Sequence, residues 1–94
     1  QRAILDYIEN DSKGESYKFV NFTIPSLQPE GWQYLQKYYY PNSYGKNGDL
    51  IYITIEQGVY PVWENKWIGD LGKTRLENER KFGLIRLQKR VVEK

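Results

Sequence analysis

The chain has no cysteine, no histidine and no methionine among its 94 residues. Without cysteine it forms no disulfide and offers no thiolate nucleophile, and nothing marks a redox compartment. Without histidine it lacks the commonest general base and the commonest metal ligand, which excludes a Ser-His-Asp or Cys-His enzyme within this chain. The missing methionine predicts that Gln1 is an internal or processed end and that the chain is a fragment of a larger protein. A charge excess of one sign is also missing. Fourteen Lys and Arg against twelve Asp and Glu leave +2, which argues against a dedicated nucleic-acid binder. No apolar run approaches the ~20 residues of a membrane span.

What is present is apolar and aromatic. Hydrophobic residues make up 39% and aromatic residues 16%, too much for a disordered segment, and the length fits one soluble domain spanning residues 1–94. The clearest element is Leu50–Glu56. It is almost wholly β-branched, aromatic or aliphatic, with apolar residues on both faces, and so reads as a central strand with layers above and below. The closing run, residues 81–90, alternates Ile85, Leu87 and Val91 against Arg86, Gln88 and Arg90 and reads as an edge strand. Its end is locally basic: residues 80–94 carry six Lys or Arg against one acidic residue. Arg86 and Arg90 are therefore candidates to face a membrane or an anion, although charged protection of a sheet edge is the plainer reading.

The remaining elements follow from periodicity and punctuation. Residues 2–10 carry a helical apolar stripe through Ile4, Leu5 and Ile8, with Asp6, Glu9 and Asp11 on a solvated face, and Gly14 closes it. Residues 17–24 alternate as a strand. Pro29 opens a helix to about residue 40, with Trp32, Leu35 and Tyr39 on one face. A turn-rich stretch through Asn42, Tyr44 and Gly48 reads as a surface loop. Pro61 opens a short helix bearing Trp63 and Trp67 at core spacing, and strands over 74–78 and 84–92 finish the chain around a tight turn. The order αβαβαββ predicts an α/β fold, a small three-layer αβα sandwich on a four-stranded mixed sheet.

Motifs that would carry chemistry fail on inspection. Gly45-Lys46-Asn47-Gly48 precedes a strand, whereas a phosphate loop opens a helix. Gly69-Asp70-Leu71-Gly72-Lys73-Thr74 lacks the upstream glycine of a Walker loop. No catalytic residues, metal ligands or cofactor sites are predicted. Glu56 stands out because it ends the central strand, where open α/β sheets place ligands, although a structural carboxylate is the plainer reading. Tyr40, Tyr44 and Tyr60 are the candidate surface aromatics for stacking on a ligand, and the helical aromatics read as core. Glu77 and Glu79 share a strand face with Arg75 and are expected to pair across strands with Arg86 or Arg90.

Taken together, Ala3-Ile4-Leu5-Asp6-Tyr7-Ile8, Trp32-Gln33-Tyr34-Leu35, Tyr38-Tyr39-Tyr40, Leu50–Glu56 and Lys81-Phe82-Gly83-Leu84-Ile85-Arg86-Leu87-Gln88-Lys89-Arg90 resemble the C-terminal soluble domain of certain prokaryotic polytopic glycosyltransferases. These are similar to protein O-mannosyltransferases and aminoarabinose transferases. The chain departs from that pattern after Glu56, with Gln57-Gly58 in place of a Pro-Asp. The resemblance implies an extracytoplasmic, non-catalytic accessory domain at the cell membrane. Its parent would move a sugar from a polyprenyl-phosphate donor, and its partners would be the membrane-embedded part of that protein and lipid headgroups or glycan. Two other classes compete: a carbohydrate- or peptide-binding module using the surface tyrosines, and a small interaction domain presenting a sheet edge or helix face.

Overall fold

The computed structural model describes residues 2–22, 30–41 and 48–93. Seven elements follow one another: α1 (Arg2–Ser12), β1 (Tyr17–Phe22), α2 (Glu30–Tyr39), β2 (Leu50–Glu56), α3 (Pro61–Asp70), β3 (Thr74–Phe82) and β4 (Ile85–Val92). The strands form one mixed sheet in the order β1-β2-β4-β3. β1 runs parallel to β2 with Tyr17 beside Leu50, and β4 is antiparallel to both β2 and β3. Helices cover both faces, giving the expected three-layer α/β sandwich.

Strand alternation explains the layers. Leu50 and Tyr52 of β2 face α1 and α2, where they join Ile4, Leu5, Ile8, Tyr17, Trp32 and Leu87 in the larger core. Ile51, Ile53 and Ile55 face the other way and pack with Phe22, Val20, Trp67, Ile68 and Leu71 beneath α3. A strand buried on both faces loses the usual polar face, and β2 is buried from Leu50 to Ile55. Thr54 is the one polar side chain inside that run. Its Oγ1 accepts a 2.7 Å hydrogen bond from Asn21 Nδ2 on the neighbouring strand, which offsets the cost of burying a hydroxyl.

The closing strand departs from its sequence reading. β4 is an interior strand between β2 and β3, and the sheet edges are β1 and β3. Its alternation is genuine, but Arg86, Gln88 and Arg90 are satisfied by protein partners, and Gln88 is buried. β3 also runs further than 74–78. It is nearly all exposed and is held chiefly by its ladder to β4, so its apolar pattern is weak. Leu76 pairs with Arg90 and Asn78 with Lys89, which leaves Glu77 as an extra, bulged residue. Phe82 and Ile85 close the hairpin across a two-residue turn in which Gly83 has φ 62°.

Gly48 shows the tightest backbone approach. A Cβ there would lie well inside van der Waals contact with the Ser16 carbonyl, which is backbone and cannot swing away. Gly48→Ala is therefore expected to cost about 1–3 kcal/mol by overpacking the junction that sets the β1–β2 register. Urea titration of the two proteins measures it, and Gly69→Ala, whose Cβ meets open space, is the matched control.

Candidate functional site

Three carboxylates of α1 lie beside the buried stripe Ile4, Leu5 and Ile8, and each receives a tyrosine hydroxyl. Tyr40 donates to Asp6, Tyr17 donates to Glu9, and Tyr52 donates to Asp11 at 2.6 Å. Gln36 of α2 adds a 3.1 Å hydrogen bond to the Tyr17 oxygen, tying α2 into the same row. Tyr17 and Tyr52 reach α1 because odd positions of β1 and even positions of β2 share the α1–α2 face, where their rings meet edge-to-face at 5.2 Å. This corrects the reading of Asp6, Glu9 and Asp11 as a solvated face. A phenol carried into a core by its ring needs an acceptor, and the flank of α1 supplies three.

Asp11 also pairs with Lys89 of β4, Nζ to Oδ2 at 2.8 Å, on one side of a cleft of about 380 Å³ bounded by Ser12, Lys13, Glu77 and Val91. Burial pushes the Asp11 carboxyl up, but the hydrogen bonds from Lys89 and Tyr52 and the nearby Lys89 and Lys13 charges outweigh it, leaving the pKa below the ordinary value. The hydrogen bond to Asp11 raises the Lys89 ammonium in turn. Burial first, then the Asp11 hydrogen bond, drives the Tyr52 hydroxyl far above a free phenol. None of these three groups is poised to exchange a proton near neutrality. The cleft is charged and locked.

The sequence candidates are dispersed around this frame. Glu56 is half-buried and accepts a 3.3 Å hydrogen bond from Trp32 Nε1, so it holds α2 against the end of β2. Tyr60 is exposed at the N-terminus of α3, at the same end of the sheet. Tyr40 lies eight residues beyond Trp32, about 12 Å along a helix of 1.5 Å rise, with its hydroxyl committed to Asp6. The structure therefore does not gather Tyr40, Glu56 and Tyr60 into one site. Tyr44 falls outside the described residues. The reading of the helical aromatics as core holds for Trp32, which is buried, and in part for Trp67. It fails for Tyr38, Tyr39 and Trp63, which are exposed, and Lys66 Nζ lies 5.6 Å over the Trp63 ring.

Arg86 and Arg90 share the α3 face, opposite to Glu56, as alternation along β4 predicts. Arg86 is bound on both sides. It pairs with Glu64 of α3 and, at 2.9 Å, with Glu79 of β3, the cross-strand pair expected from the sequence. The Glu64 hydrogen bond is the main reason its guanidinium is held above the usual value. Gln88 donates to the same Glu79 oxygen at 3.0 Å and accepts from Arg90 Nε at 2.9 Å, while Arg90 Nη1 reaches Thr74 Oγ1 at 3.3 Å. Arg90 thus has neutral partners only in this network, whereas Arg86 is neutralised.

A second cleft, of about 320 Å³, was not legible as a site. It lies between the edge strand β1 and the end of α3 and is lined by Val20, Asn21, Phe22, Trp67, Asp70 and Leu71. The available signal was Phe22 alternating toward α3 and meeting Trp67, whose rings lie 5.2 Å apart. Comparison of the chain with known proteins finds no matching family model, no matching curated protein and no matching solved structure.

Proposed function

We propose that this chain is a non-catalytic accessory domain of a membrane glycosyltransferase that draws its sugar from a polyprenyl-phosphate donor, on the extracytoplasmic side of the cell membrane. The observation that carries the non-catalytic part is the use of the carboxylates. Asp6, Glu9 and Asp11 receive tyrosine hydroxyls, Glu56 receives an indole N–H, and Glu64 and Glu79 are paired with Arg86. Groups engaged in this way stabilise a scaffold and are not free to act as acid or base on a substrate. The transferase part is supported by the resemblance. The segments that carry it are α1, the start of α2, β2 and the β3–β4 hairpin, which together form the framework of the fold.

On this reading the partners are the membrane-embedded part of the same protein and, beside it, lipid headgroups or glycan. Arg90 suits an anionic headgroup better than Arg86, whose charge is already met by two carboxylates. No helix among the described residues is long and apolar enough to cross a membrane.

Two measurements test the proposal. The purified chain, given a polyprenyl-phosphate sugar and an acceptor, is expected to transfer nothing; turnover that Glu56→Gln abolishes would overturn the non-catalytic assignment. The coding sequence upstream of Gln1 is expected to encode several hydrophobic spans, and a start codon there with no spans would remove the transferase assignment.

A further inference from the structure

We propose that the outer edge of β1 receives an extended peptide, which adds a fifth strand to the sheet and sets an apolar side chain into the cleft beside Trp67. The inference is independent of the transferase reading. It begins with the difference between the two sheet edges. β3 is defended: it is bulged at Glu77 and lined with Arg75, Glu79, Arg80 and Lys81, the devices that discourage strand pairing. β1 has no bulge and a single charge, Lys18. It pairs with β2 in unbroken register from Tyr17 to Phe22, its sequence Tyr-Lys-Phe-Val-Asn-Phe carries one charge, and no described strand lies beyond it. A strand paired on one side turns half of its N–H and C=O groups outward, and an extended backbone is the ligand that matches such a row.

The cleft specifies the side chains. Val20 and Phe22 of β1 face α3, and with Trp67 and Leu71 they line the 320 Å³ space at that edge. The volume is at the lower limit of small-ligand pockets, so it suits one large apolar side chain anchored by its own strand. Two charges flank the position. Lys18 is exposed on the same face of β1, and Asp70 is exposed on the rim of the cleft at the end of α3. Neither takes part in a hydrogen bond or ion pair among the described residues. The complementary strand therefore carries an acidic residue opposite Lys18, a large apolar one over the cleft, and a basic one toward Asp70. Phe22 lies four positions beyond Lys18, about 13 Å along a strand, so side chains at alternate positions of one face of the peptide can reach Lys18 and the cleft together.

The probe is a fluorescein-labelled heptapeptide with Glu, Phe and Arg at its second, fourth and sixth positions and threonine between them. Titration followed by amide NMR is expected to shift and protect residues 17–22 and the Trp67 indole. Asp70→Lys removes one exposed ion pair and is expected to weaken binding about two- to tenfold. A twin peptide with proline at its third and fifth positions is expected not to bind, because it cannot form the ladder. Shifts confined to β3, equal binding of the proline twin, or no binding at about 1 mM peptide would overturn the proposal. So would concentration-dependent protection of β1 without peptide, which would give the edge to a second copy of the chain.

Discussion

Ile53→Ala is expected to lower the stability of this domain by about 2–5 kcal/mol, the range for truncating a buried aliphatic side chain. The upper half of that range is the more fitting. Ile53 has no exposed surface, and its strand is paired on both sides, with Val20 of β1 and Gln88 of β4 opposite it. A strand held on both sides cannot move inward to fill the space left by the lost atoms, so the cavity persists. A domain of this size has only about 5–15 kcal/mol in total, and each kcal/mol shifts Tm by roughly 4–8 °C. The variant should therefore melt at least about 8 °C below the parent, as circular dichroism would show. A change of less than about 1 kcal/mol would mean that β2 is not the centre of the core. Native-state amide exchange gives a parallel test. β2 and β4 should be the slowest strands together, with β1 and β3 faster, because the latter are edges.

That exchange pattern marks where sequence reading succeeds and where it stops. β2 was legible because its apolar residues occupy both faces, a pattern that only a doubly covered strand requires. β4 was legible as a strand but not in its place. The Arg86–Glu79 pair was foreseen, but the bond from Arg86 to Glu64 and the burial of Gln88 against Glu79 were not, because alternation cannot distinguish water from a protein acceptor. The same limit hid the row under α1. Asp6, Glu9 and Asp11 have the spacing of a wet helix face, and their partners Tyr40, Tyr17 and Tyr52 lie 34, 8 and 41 residues away in sequence. Trp63 and Tyr39 show the reverse error. Helical spacing placed Trp63 and Tyr39 with the core, but each short helix buries one narrow stripe, held by Trp32 in α2 and by Trp67 in α3. Of the candidate site, Glu56 was placed correctly at the end of the central strand, and its partner Trp32 was not foreseen.

The Tyr52 hydroxyl is expected to make the fold sensitive to alkali. In the unfolded chain this phenol ionises near 10.0, whereas in the folded chain burial and the bond to the Asp11 carboxylate keep it protonated well above that value. Above pH 10 the unfolded state therefore holds fewer protons than the folded state, and stability falls as pH rises. A full proton of difference costs about 1.4 kcal/mol per pH unit, and because the unfolded phenol is only half ionised at pH 10, this group approaches that slope above about pH 11. Tyr40, raised chiefly by its hydrogen bond to Asp6, changes in the same direction. Lys89 also has a raised pKa, so the stability from its bond to Asp11 is intact below 10.5 and is lost as pH climbs through the higher folded value. At the acid end the sign reverses. Asp11 has a lowered pKa, so its contribution is present above 3.8 and disappears as pH falls through the folded value. Tyr52→Phe separates these effects. At pH 7 it removes a hydrogen bond to a carboxylate from a buried ring, a loss of about 1.5–3 kcal/mol. Above about pH 11 it should flatten the alkaline slope by about 1.4 kcal/mol per pH unit. Urea titrations at pH 7, 10, 11 and 12 on both proteins give the two slopes. Parallel slopes would show that Tyr52 ionises as readily in the folded chain as in the unfolded one, and the row of tyrosines under α1 would then not be the buried, carboxylate-bound structure described above.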